Sequence, residues 1–151
     1  MTVHLQKLCV GINSIQELVQ YRDDLAKRLK RAGRPMEDQH WTRHRPKRDE
    51  EILDGGSLFW IIKGQMCVRQ RILRLDDVQD EAGKAYCAIV YDPTVILTEL
   101  RPRRAFQGWR YLEGADAPPD IPDQKAALRR AADAAELPEE MARELRELGL
   151  L

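Results

Sequence analysis

Apolar positions in this chain change their spacing along its length, and each change predicts an element. Residues 3 to 10 alternate as a short strand. After Gly11-Ile12-Asn13, the tetrad Ser14-Ile15-Gln16-Glu17 has the form of a capping box opening a helix. Ile15, Leu18, Val19, Leu25 and Leu29 then recur at helical spacing, with Arg22 on the same stripe where its methylenes can snorkel, and Gly33 is placed to end the helix in the left-handed conformation. Asp38 to Arg45 alternates weakly and predicts a second, more exposed strand, followed by a short helix from Pro46 to Leu53.

From Ser57 onward the period shortens to two. Ser57 to Lys63 and Met66 to Leu73 are rich in branched and aromatic residues, and Gly64-Gln65 between them suits a type II′ hairpin turn. Further strands are predicted at Ala85 to Tyr91, Val95 to Leu100 and Phe106 to Leu112. Pro118, Pro119 and Pro122 then mark a boundary, beyond which Lys125 to Glu136 and Pro138 to Leu148 read as two helices with narrow apolar faces. The predicted class is α+β: a mostly antiparallel sheet or small partly closed barrel, with the N-terminal helix and two C-terminal helices, the helices lying on one side. Residues 1–120 form one domain in this reading, and 121–151 a helical extension packed on it or appended to it.

A turn centred on Gly64-Gln65 would place residue 60 opposite 69 and 58 opposite 71, because register follows loop length. Trp60 would then sit beside Arg69, on a face shared with Leu58, Ile62, Cys67 and Arg71. Phe59, Ile61, Met66, Val68, Gln70 and Ile72 would make the opposite face. Two readings of Trp60 follow: an internal cation and aromatic pair, or part of a binding surface if Trp109, Arg110 and Arg104 converge on it.

Composition narrows the function classes. With 151 residues, 43% of them hydrophobic and 33% charged, one buried core is expected. No apolar run approaches the roughly 18 residues of a membrane helix. Met1 to Lys7 lacks the features of a secretory signal, so a cytoplasmic location without membrane association is expected. Cys9, Cys67 and Cys87 have no C-x-x-C spacing and read as core thiols.

Net charge is zero, 25 basic against 25 acidic residues, but unevenly spread: residues 40–111 carry thirteen basic and ten acidic side chains, residues 112–151 five and ten. Any argument for a polyanionic partner must therefore rest on local clusters.

The densest cluster is Arg101 to Tyr111, eleven residues with four arginines, three aromatics and no acid. Guanidinium groups can track phosphates while indoles stack bases, the pattern of single-strand binders; a solvated arginine loop anchored by its aromatics is the plainer reading. The candidate anion-binding or nucleic-acid-binding residues are Trp60, Lys63, Arg69, Arg71, Arg103, Arg104, Trp109 and Arg110. A second run, His40 to Arg48, is neutralised at once by Asp49, Glu50 and Glu51. His40 and His44 would need a third ligand to hold a metal, so neither metal nor cofactor is expected.

Gly55-Gly56-Ser57 reads as a helix stop before a strand. The chain has no G-x-S-x-G elbow, dinucleotide fingerprint or Walker loop, and its scattered acids form no general acid and base pair.

The stretches Leu53 to Gly64, Val68 to Leu73 and Arg101 to Leu112, with Lys7 to Gly11, resemble a small alphaproteobacterial family catalogued as domain of unknown function 1489, over roughly residues 1 to 120. The resemblance implies a stand-alone bacterial cytoplasmic protein and carries no activity and no residue roles. The expected function is a non-catalytic module binding RNA or single-stranded DNA. The rivals are a small enzyme acting on a nucleotide or phosphorylated metabolite, with Lys63 or a histidine in the chemistry, and an adaptor whose C-terminal helices bind a protein partner.

Overall fold

The computed structural model describes residues 2–104 and 106–135. Its elements, in chain order, are β1 (Val3–Leu8), α1 (Ile15–Ala32), β2 (Asp38–Thr42), α2 (Asp49–Leu53), β3 (Ser57–Ile62), β4 (Gln65–Gln79), β5 (Ala85–Tyr91), β6 (Ile96–Pro102), β7 (Trp109–Glu113), a 3₁₀ turn at Gly114–Asp116 and α3 (Gln124–Ala135). The strands form one seven-stranded sheet in the order β2-β5-β4-β3-β1-β7, with β6 also paired to β4. The sheet is open, so the barrel alternative does not hold. It is also mixed, because β1 lies parallel to β3 while every other pair is antiparallel.

The N-terminal half of the long strand β4 runs between β3 and β6, and its C-terminal half pairs with β5. Between β5 and β6 the chain leaves the ladder only briefly, and Asp92 N–H still donates to the Arg71 carbonyl at 2.8 Å. β3 is buried at every position, as a central strand covered on both faces must be, which explains its unbroken apolar sequence.

Helix α1 begins and ends where the sequence predicts. Ser14 Oγ accepts the Glu17 N–H at 3.1 Å, and the Glu17 carboxylate accepts from the N–H of Asn13, one residue earlier than in the usual capping box. Gly33 closes the helix at φ +65°, and Arg34 N–H reaches back to the Leu29 carbonyl at 3.0 Å. The three α-helices of the described residues pack on one face of the sheet: Leu18 from α1, Ile52 from α2 and Ala127 from α3 enter one core with Val3, Leu5, Leu58, Trp60, Val68, Ile72, Ile89 and Leu97. A smaller cluster on the other face joins Phe59, Ile61, Met66 and Leu112, with Leu8, Phe106 and Ala117 against it. The second C-terminal helix expected over residues 138–148 lies outside the described residues.

The β3–β4 hairpin departs from expectation in two ways. Its turn is Lys63-Gly64, with φ +48° and +77°, so both central residues are left-handed as in a type I′ turn, the form that matches strand twist. The ladder also slips at Cys67, from Ile61 opposite Met66 to Trp60 opposite Val68. One extra residue in one strand turns every later side chain to the other face. Val68, Gln70 and Ile72 therefore join Trp60, while Arg69 is paired with Phe59 and Arg71 with Ser57.

Candidate functional site

Trp60 is 5% exposed. Its Nε1–H donates to Gln70 Oε1 at 2.8 Å, and the Gln70 amide in turn donates to the carbonyls of Asp92 and Pro93. Tyr91 and His40 meet the indole edge-on, at centroid distances of 6.0 and 6.2 Å. This ring offers no platform to a ligand, and the expected Trp60–Arg69 pair is replaced by Trp60–Val68 because the turn sits at Lys63-Gly64 and the bulge then adds one residue. Trp109 is half-buried against the same core and packs edge-on against Tyr111 at 5.0 Å. Tyr111 is itself a staple, since its hydroxyl oxygen accepts the N–H groups of Lys47 and Arg48 at 2.9 and 3.2 Å.

The arginines divide. Arg69 lies on the face away from the helices and is committed internally: Nε and Nη2 donate to the two carboxylate oxygens of Asp120, both at 2.8 Å, and Nη1 to Ser57 Oγ at 2.9 Å. That fork holds the Asp120 carboxyl below the usual carboxylate range. Arg71 is exposed.

Arg103, Arg104 and Arg110 are gathered by topology. β1 and β3 finish, and β4 and β7 begin, at the same end of the sheet, so the chain between β6 and β7 crosses beside the β3–β4 turn. Arg103 N–H donates to the Gly64 carbonyl at 2.8 Å, fixing the start of that crossing next to Lys63. Phe106 anchors it by packing against the smaller cluster, and the Arg110 guanidinium lies 4.4 Å from the Phe106 ring centre. Arg101 is turned aside to the Asp116 carbonyl at 2.7 Å.

Among the described residues, Arg103, Arg104 and Arg110 enter no ion pair, whereas Arg45, Arg48, Arg69 and Arg74 each hold a carboxylate. Among the described residues, then, no acid neutralises the guanidinium charge at this end of the sheet. Of the eight residues singled out from sequence, Lys63, Arg103, Arg104, Trp109 and Arg110 lie at this end, with Trp109 packed against the core; Trp60 is buried within the sheet, and Arg69 and Arg71 lie further along β4.

A family model described as a protein of unknown function (DUF1489) matches residues 5–151. The chain belongs to this family. No curated protein and no solved structure matches it. The match reaches beyond residue 120, so the C-terminal segment is part of the family pattern as well.

Other reactive side chains in this DUF1489 chain are tied to the fold. His4 Nδ1 accepts the Ser57 N–H at 2.9 Å, and burial, aided by Arg69, lowers its pKa. His40 is also pushed down, first by burial and then by Lys7. β2 ends at Thr42, so His44 does not continue the strand face of His40, and no group of three metal-ligating side chains forms among the described residues. The three cysteines are buried and form no disulfide, and burial pushes the Cys9 thiol up to about 12. Local spacing carries no sign of the partners Gln70, Asp120 and Ser57, since each acts between strands or across the sheet.

Proposed function

We propose that the protein binds a phosphate-bearing partner, RNA or single-stranded DNA first, through the guanidinium groups around the β3–β4 turn. One observation carries the reading: Arg103, Arg104 and Arg110 are brought to one end of the sheet without a carboxylate partner among the described residues. Fixed guanidinium charge with no acidic partner among the described residues attracts phosphate. Trp60 has no part in this version, and the surface is a basic edge rather than a joined arginine and indole patch. The cytoplasmic location expected from the sequence suits such a partner; no helix among the described residues is long and apolar enough to cross a membrane.

The test is a titration with single-stranded oligonucleotides at several salt concentrations. Counterion release makes affinity fall as salt rises, by a slope of about 0.7 per phosphate neutralised on a single strand. Arg103→Ala/Arg104→Ala should weaken binding at low salt and make the slope shallower by about 1.4. An unchanged slope would remove this edge from the interface.

A further inference from the structure

The face of the sheet away from the helices bears an aromatic pair at the opposite end of β4 from the hairpin turn. Trp41 stands on β2 opposite Ala88 of β5, and Tyr86 lies two residues before Ala88, on the same face. Their ring centres are 5.7 Å apart at an interplanar angle of 36°, nearer to stacked than to edge-on. Trp41 is 40% exposed, although Ala88 and Val90 beside it are buried.

Two cations lie over the Tyr86 ring. The Arg43 guanidinium lies 5.9 Å and the Lys84 ammonium 5.7 Å from the centre of the Tyr86 ring. Arg43 Nη1 also donates to the Ala85 carbonyl, which holds the guanidinium close to the rings. Of the acids nearby, Glu37 and Asp76 are held by Arg74 at 2.7 and 2.9 Å, and the Asp80 carboxylate caps its own turn by accepting the N–H groups of Ala82 and Lys84, while Glu81 on that turn is exposed. A lone exposed ring is ordinary on a protein surface. A tilted ring pair on a strand surface with two cations beside it matches what unpaired bases and their phosphates need.

We infer that Trp41 and Tyr86 form a stacking platform for an unpaired base of a single-stranded nucleic acid, with Arg43 and Lys84 contacting the adjoining phosphates. The inference extends the reading above to a second surface. The partner is single-stranded because a base inside a duplex keeps its faces against its neighbours, leaving none for an indole.

The test uses the full chain labelled with fluorotryptophan, whose resonance for Trp41 is assigned by its loss in Trp41→Phe. On titration with oligothymidylate the Trp41 resonance should shift while that of buried Trp60 stays in place. Trp41→Ala should lower affinity roughly tenfold with an unchanged salt slope, since a ring releases no counterions. The shift should persist in Arg103→Ala/Arg104→Ala protein at low salt, so failure at the turn is distinguishable from failure here. A Trp41 resonance unmoved by oligothymidylate, or moved as far by inorganic polyphosphate, which has no rings, would overturn the platform; the first outcome would leave the face to a protein partner.

Discussion

The indole N–H of Trp60 donates to the Gln70 side chain at 2.8 Å, joining strands β3 and β4 inside the core. Gln70 is 3% exposed and passes the bond on to two carbonyls of the Asp92-Pro93 bend, so one amide satisfies the central indole and holds the break between β5 and β6. Removing it would strand a buried donor and two acceptors. Gln70→Ala should cost at least about 1–3 kcal/mol, read as a lower urea midpoint, with further loss from the cavity. A midpoint equal to that of the wild type would show that water replaces the amide without cost.

Gly56 is required for space rather than for turn geometry. A Cβ built there would lie 2.3 Å from the Ile52 carbonyl oxygen and 2.4 Å from that of Val3, both backbone atoms that cannot rotate away. Gly56→Ala should therefore force β1 and the end of α2 apart and give a large loss of thermal stability. Gly55→Ala is a useful contrast, because Gly55 has open space but φ +86°, and its cost should be nearer to the 1–2 kcal/mol of a left-handed non-glycine residue.

Stability should fall as pH drops below about 6.5, the unfolded pKa of histidine. The folded pKa values of His4 and His40 are lowered, chiefly by burial, so between folded and unfolded values the unfolded chain binds more protons and acid favours unfolding. His4 has the sharper effect, since a proton on Nδ1 would abolish its bond from the Ser57 N–H. Denaturation midpoints at pH 7.5 and 5 should differ for the wild type and differ less for His4→Asn. Equal pH sensitivity in the two proteins would rule out His4 as a source.

Asp120 reaches Arg69 across 51 residues of chain, yet both are partly open to water. Solvent screening should hold the cost of Asp120→Ala to under about 1 kcal/mol. The Asp120 contribution is present above its unfolded pKa and is lost as pH falls through its lowered folded value, well below the histidine window. The variant should also leave Arg69 uncompensated and raise affinity for polyanions modestly, measurable in the same salt titration as Arg103→Ala/Arg104→Ala.

Those two arginines connect the predictions to what could be read before folding. The density of charge between Arg101 and Tyr111 is visible in the chain, and so is the prospect that its aromatics anchor it, as Phe106 does. Its neighbours are not visible, because the hydrogen bond from Arg103 to Gly64 depends on β6 lying along β4. The pairing of Trp41 with Tyr86 escaped for a related reason. The two residues lie on strands far apart in the chain, and the run from His40 to Arg48 reads as neutralised by the acids that follow it.

Sequence alone determined what is decided within a few residues: the Ser14 start and Gly33 end of α1, the short helix before Gly55, the presence of a β3–β4 hairpin and the apolar run Leu58 to Ile62 of β3. Such features answer to local hydrogen bonding and to side-chain periodicity. Only the tertiary structure decided the Cys67 bulge, the parallel insertion of β1 between β3 and β7, and hence which arginines face an acid and which face water. A one-residue slip costs little in local terms, but in a period-two element it exchanges the faces of every residue beyond it, and only the packing of the whole sheet selects between the two outcomes.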